Sequence, residues 1–235
     1  AETAETAETA ETAETAETEQ STEFDEFLYQ NINKITDNRV LKKMFAEFHD
    51  ENVADVTEAN MKEAQELVEL ALVRQARKTM NGISTHSDPD MAAAENRAVF
   101  DELVRQYNAQ PNLNVRTSTS MENQAYSTPA PLAFVASQLA GIDSQTIVYE
   151  PTAGNGMLLI GADINNAFTN ELNEDRADNL GAQGFFPTQE DATQYRPEEE
   201  MDAVIMNPPF GRLRTEDNKV KTVKVDGYDI SAIYH

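Results

Sequence analysis

The 235-residue chain contains no cysteine and no tryptophan. Without thiols there is no disulfide framework, no thiolate zinc site and no cysteine nucleophile. Bases are scarce as well: 18 Lys and Arg stand against 42 Asp and Glu, a formal charge of −24. That balance argues against a preformed nucleic-acid surface, because phosphates are held through Lys and Arg. No stretch approaches the roughly 18 unbroken apolar residues of a membrane helix, and no apolar signal segment opens the chain. These absences predict a reducing cytoplasm and no membrane partner. Of the histidines, His49 and His86 have no second ligand candidate at metal spacing. Both read as ordinary surface residues, and no metal site is expected.

With 40% apolar residues, the length allows one medium domain, or one small domain with a helical extension. Residues 1–18 repeat Ala-Glu-Thr without a break. A period of three suits neither helix nor strand, and alanine alone cannot bury enough surface to offset the ordering entropy. Residues 1–22 are therefore expected to be a disordered acidic tail.

Residues 23–110 read as a helical module. Phe24, Phe27 and Leu28 form one apolar stripe; Val40, Leu41, Met44, Phe45 and Phe48 form another. A longer face runs through Met61, Ala64, Leu67, Val68, Ala71, Leu72 and Gln75 and stops near Gly82. Ser87-Asp88-Pro89 reads as the cap and first turn of a helix through Val99, Phe100, Leu103 and Val104.

Residues 111–235 change character. Buried-strand runs at Thr146–Tyr149, Asn166–Thr169 and Ala203–Met206 alternate with helical spacing over 129–140 and 173–183. That alternation predicts an α/β unit with a mainly parallel sheet.

Four features there carry chemistry. Val148-Tyr-Glu150-Pro151-Thr-Ala-Gly154-Asn-Gly156 ends a strand in an acid, turns through two glycines and enters the apolar run Met157–Ile160, read as a helix. Glycines let a backbone approach a ligand, and a helix N-terminus favours anionic or nucleotide-like groups. The same pattern is also, simply, a turn. Glu171 follows the second strand about 20 residues on, a spacing that suits bidentate hydrogen bonding to ribose hydroxyls. Asn170 and Asn173 beside it make a plain helix cap the competing reading. Asp191, with Glu190 and Ala192 at its sides, is an acid able to accept an exocyclic amine, or a solvated loop residue. Lastly, Ala203–Met206 runs straight into Asn207-Pro208-Pro209-Phe210. Two prolines lock the backbone there, so the Asn207 amide and the Pro208 carbonyl hold fixed directions. Two such oxygens accept both protons of a planar amine, and Phe210 offers a stacking face for a planar base.

Asn207-Pro-Pro-Phe210, with Glu150-Pro-Thr-Ala-Gly-Asn-Gly156 about fifty residues upstream, resembles the S-adenosylmethionine-dependent amino-methyltransferases, above all the DNA adenine-N6 group. Gln124-Ala-Tyr-Ser127-Thr128-Pro129-Ala-Pro131 is similar to the cofactor-binding segment that precedes the glycine turn in the adenine branch of type I and fused restriction systems. The resemblance spans roughly residues 120–235 and implies a Rossmann-like sheet. It implies S-adenosylmethionine held by Thr128, Glu150, Pro151, Gly154, Gly156, Glu171, Asp191 and Ala192, with Glu171 on the ribose and Asp191 on the adenine amine. Asn207, Pro208, Pro209 and Phe210 would hold a target adenine flipped out of DNA, in restriction-modification or antirestriction. Gly227–His235 resembles the stretch after Asn-Pro-Pro-Phe in phage and plasmid antirestriction proteins that join such a methylase to a Strawberry-notch-type helicase.

The family's sheet continues for three more strands, so the methyltransferase part is expected to be C-terminally truncated, with further domains of a larger polypeptide as partners. Arg212, Arg214, Lys219, Lys221 and Lys224 form the most basic stretch, beside the base-binding loop. Cytosine N4, RNA guanine N2 and protein glutamine remain alternative acceptors. A non-catalytic interaction module with a degenerate fold is the reading from another class.

Overall fold

The computed structural model describes residues 23–82, 88–111, 113, 127–208, 222–225 and 228–231. The Ala-Glu-Thr tail, His86, Ser87, Pro209, Phe210 and the bases from Arg212 to Lys221 lie outside the described residues. The chain divides into two compact units, Ala1–Gln75 with Ala109–Asn114, and Ala76–Asn108 with Val115–His235.

In the first unit, α1 (residues 23–31) leads through a 3-10 turn at Ile32–Lys34 to α2 (Asn38–Phe48). Asp37 caps α2 by accepting from the amides of Arg39 at 2.8 Å and Val40 at 3.1 Å. A cap of this kind contributes about 1 kcal/mol. At the start of α3 (Glu58–Met80), Thr57 N–H donates to Asn60 Oδ1 at 2.9 Å, and Asn60 N–H donates to Thr57 Oγ1 at 3.2 Å. This reciprocal pair is a capping box with Asn in the distal position. Phe24, Leu28, Leu41, Phe45 and Val68 are buried together with Leu70 and Val73. The single apolar face expected of α3 is thus too narrow: the helix buries residues on more than one side. His49 is no ordinary surface residue either, with its ring 4.3 Å from that of Phe45 and 5.2 Å from that of Phe24. Arg74 joins Asp25 at 2.8 Å and Glu26 at 2.7 Å and lies over Tyr29.

The second unit holds the last turn of α3, α4 (Pro89–Asn108), α5 (Ala130–Leu139), α6 (Glu174–Ala182) and a small parallel sheet. Asp88 caps α4 through the Asp90 amide at 2.9 Å, with Pro89 in the first turn. β1 (Val148–Glu150) is central, flanked by β2 (Ala167–Thr169) and β3 (Ala203–Val204), all parallel. The register pairs Glu150 with Thr169 and Tyr149 with Val204. A parallel bridge from Asn170 to Thr188 extends the pairing beyond β2. The architecture is therefore mixed helix and sheet, α/β in general. An antiparallel hairpin, β4 (Thr222–Val225) and β5 (Tyr228–Ser231), answers to no pattern read from the sequence.

Two expectations are corrected here. Met157–Ile160 does not open an α-helix; it forms a 3-10 turn, Met157–Leu159. Gly161 follows at once, and the Asp163 side chain takes the Asn165 amide at 2.8 Å to start another short turn. Glycine and a competing side-chain acceptor both oppose helix propagation. The run Ala203–Met206 is not a buried strand throughout. Ladder pairing covers Ala203–Val204, Ile205 alone is buried, and Val204 and Met206 are each 53% exposed. One face of this strand is apolar and open.

Candidate functional site

The described residues of the predicted site, Glu150, Gly154, Glu171 and Asn207 among them, follow the ends of β1, β2 and β3, the edge at which open parallel sheets place their ligands. Past β1 the chain turns with Gly154 at φ +55° and Gly156 at φ +84°. Both angles lie in the left-handed region that glycine alone enters without strain. A Cβ on Gly154 would meet nothing within 4 Å, so the backbone there is open to approach. One on Gly156 would stand 3.1 Å from Leu180 Cδ2.

Glu171, beyond β2, bridges that turn to α6. Its Oε2 accepts from Gly154 N–H at 2.7 Å and its Oε1 from Asn173 N–H at 2.9 Å. Asn173 itself caps α6 through the Arg176 amide at 3.1 Å. Of the two readings of this region, the helix cap falls on Asn173, while both Glu171 oxygens accept backbone amides. Glu150 is 2% exposed, and its Oε2 has no hydrogen-bond partner. Burial in a low-dielectric interior pushes its carboxyl well above the ordinary range, and the nearby Glu171 carboxylate pushes it further. Thr169, its register partner on β2, also buries an unpartnered hydroxyl.

Asp191 sits on an exposed loop and accepts from Thr193 at 2.7 Å (Oγ1) and 2.9 Å (N). Those bonds, the hydroxyl's first, hold its carboxyl below the usual carboxylate range. Ala192 is half-buried, and its carbonyl accepts from Arg196 at 3.0 Å. Asn207 follows β3. Its Nδ2 donates to Thr128 Oγ1 at 3.0 Å, which joins two residues 79 positions apart. Pro208 is half-buried; Pro209 and Phe210 lie outside the described residues.

Sequence reasoning missed the residue that ties these loops together. The Asn170 amide is 1% exposed and makes four bonds. It donates to the carbonyls of Pro151 at 3.0 Å and Glu190 at 2.8 Å. It accepts from Glu190 N–H at 3.0 Å and Thr188 Oγ1 at 2.7 Å. Every donor and acceptor of a carboxamide is then used, so the chain after β1, the end of β2 and the loop to Asp191 move as one. A second set, on α6, holds the glycine turn from behind. Asn179 Nδ2 donates to Asn155 Oδ1 at 2.9 Å and Gln183 Nε2 to the Asn155 carbonyl at 3.0 Å. The sequence signal for this set is a pair of amides one turn apart, placed around the buried Leu180 on a short helix.

Among the described residues no group of His, Cys, Asp or Glu is arranged to hold a metal, and no helix is long and apolar enough to cross a membrane. Comparison with known proteins finds no family model, no curated protein and no solved structure that matches the chain.

Proposed function

We propose that this chain carries a Rossmann-like site for S-adenosylmethionine and transfers its methyl group to N6 of adenine in DNA. The observation that carries the reading is the placement of Asn207 beside Thr128 at the same sheet edge as the Gly154–Gly156 turn. Two segments far apart in sequence, each given a role in one reaction, meet there.

The residues present fit the cofactor. Gly154 offers an open backbone face, and Glu171 presents a carboxylate two residues past β2, where a ribose diol would need acceptors. Glu150 brings a buried, unpartnered carboxyl oxygen to the same end of β1. Asp191 and Ala192 stand on the loop that Asn170 fastens to β2 through Glu190. When bound, the cofactor supplies a methyl group made electrophilic by a sulfonium. The protein's part is to hold the acceptor nitrogen. Asn207 Oδ1 and the Pro208 carbonyl accept the two amine protons, which localises the nitrogen lone pair without a general base. Phe210 would stack on the flipped base. Orientation and exclusion of water supply most of the acceleration.

Labelled cofactor offered separately to DNA, RNA and protein acceptors tests the class. Label in N6-methyladenine is the expected result, and label in RNA or protein alone would reject the DNA assignment. Asn207→Ala should abolish transfer yet keep S-adenosylhomocysteine binding, as read by calorimetry; equal loss of both would count against the role of Asn207.

A second reading, a non-catalytic interaction module, is favoured by the −24 charge and by the open apolar face of Val204 and Met206. It requires no heat of binding with S-adenosylhomocysteine.

A further inference from the structure

A carboxamide is a plane with a donating end and an accepting end. A catalytic asparagine of the kind proposed here works in only one of its two orientations. With Oδ1 forward it accepts an amine proton; turned by half a rotation it sets NH2 against NH2. The terminal torsion of asparagine is broad and nearly two-fold, so the choice must come from a neighbour. Among the described residues such a neighbour is Thr128, whose Oγ1 accepts from Asn207 Nδ2 at 3.0 Å.

We infer that Thr128 is a positioning residue for Asn207: its hydroxyl holds the NH2 end of the amide and so turns Oδ1 toward the target amine. The inference rests on the methyl-transfer reading, and it differs from the cofactor contact that resemblance alone gives Thr128.

Both ends of the bond stand on firm supports. Thr128 is followed by Pro129, whose carbonyl accepts from Leu132 at 2.9 Å and Ala133 at 3.0 Å to open α5. That helix buries Ala130, Pro131, Ala133 and Phe134, so its first turn cannot drift. On the other side Ile205 N–H donates to the Tyr149 carbonyl at 3.1 Å, which pins the chain two residues before Asn207. A β-branched side chain restricts its own rotamer as well. Threonine therefore offers an oxygen at a fixed place, with a proton left to donate elsewhere.

Three forms of the full 235-residue chain decide the matter: wild type, Thr128→Val and Thr128→Ser. Valine keeps the shape and removes the acceptor; serine keeps the acceptor. The acceptor is plasmid DNA free of N6-methyladenine, with label in the cofactor's methyl group. For Thr128→Val the apparent kcat should fall by about a hundredfold, the scale of a small misplacement at the reacting atoms. Its KM for cofactor and its calorimetric affinity for S-adenosylhomocysteine should stay at wild-type values, and Thr128→Ser should restore kcat. An unchanged kcat in Thr128→Val, or a loss confined to cofactor affinity, would overturn the inference. So would a serine variant as slow as the valine one.

A measurement without turnover separates this idea from the reading it rests on. In 15N spectra the Asn207 side-chain amide, assigned by its disappearance in Asn207→Asp, should shift in Thr128→Val and return in Thr128→Ser. An unmoved resonance overturns the positioning role and leaves methyl transfer standing. A moved resonance in a wild-type protein that methylates nothing overturns methyl transfer, and with it the purpose assigned to the bond.

Discussion

Glu150 shows how one carboxyl can bear on stability and binding together. It is buried beside Glu171, and one of its oxygens has no partner. A carboxyl that binds its proton more tightly in the folded than in the unfolded state stabilises the fold at low pH. That contribution is complete below the unfolded value of 4.5 and is lost as pH rises through the higher folded value. On account of this group the chain should therefore melt at lower temperature at neutral pH than just above pH 4.5. Glu150→Gln, which mimics the protonated acid, should raise the melting temperature at neutral pH and flatten that dependence; calorimetric melts across pH would show it. Arg77 presents the opposite charge in a similar plight. Among the described residues it has no carboxylate partner, its Nε and Nη2 are buried without acceptors, and burial lowers its pKa to about 10. Among the described residues the Ala162 carbonyl at 3.3 Å and the Phe185 ring at 5.0 Å compensate. Arg77→Met should stabilise the chain by about 1–3 kcal/mol, because a buried charge without a counter-charge costs more than an apolar side chain of like volume. Chemical denaturation measures this directly, and a destabilised variant would mean that the ring and carbonyl suffice.

Beside its buried apolar core, the second unit fastens its loops with side-chain amides. The four bonds of Asn170 fasten three loops, and Asn179 with Gln183 fasten the glycine turn to α6. Asn170→Leu should remove four part-buried hydrogen bonds, those to the Pro151 carbonyl, to the Glu190 carbonyl and amide, and to the Thr188 hydroxyl. Each such bond contributes about 1 kcal/mol net, so a clear drop in melting temperature is expected, together with weaker S-adenosylhomocysteine binding. Gly156→Ala asks less of the fold. The left-handed angle costs a non-glycine residue about 1–2 kcal/mol, and the close neighbour, Leu180 Cδ2, is the movable end of a side chain. A small drop in melting temperature should result, not collapse. What was legible at this scale followed from local rules. Helices α5 and α6 came from their spacing, α4 from Asp88-Pro89, and the turn through Gly154 and Gly156 from its place after a strand. What was not legible depended on partners distant in sequence. Nothing near Asn170 announces bonds to Pro151 and Glu190, and nothing near His49 announces the ring of Phe24. The 3-10 turn at Met157–Leu159 escaped because four apolar residues in a row suit a buried helix as well as a buried turn.

For the whole chain the dominant quantity is charge. At −24, long-range repulsion opposes the approach of any polyanion, and the five bases from Arg212 to Lys224 follow the proposed base-binding loop in sequence. Affinity for DNA should therefore fall with salt no more steeply than these five bases allow. Five phosphate contacts set a limiting slope of about −4.5 in log K against log salt. Fluorescence anisotropy over a salt series checks this, and a steeper slope would place further cationic contacts elsewhere. The apolar face of Val204 and Met206 lies open on the same sheet that carries Asn207. An uncovered strand face of this kind favours association, so light scattering should show self-association that rises with concentration and falls on Val204→Lys.

The clamp behind the glycine turn also bears on how the molecule ages. Asn155-Gly156 is the dipeptide most prone to spontaneous loss of ammonia, because an unhindered glycine nitrogen can close onto the preceding side chain. Here that nitrogen already donates to the Ala153 carbonyl at 2.8 Å, while Asn179 grips the Asn155 oxygen at 2.9 Å. Ring closure must first break both, so the folded chain keeps this asparagine intact through long storage, and the damage accumulates only in molecules that have opened.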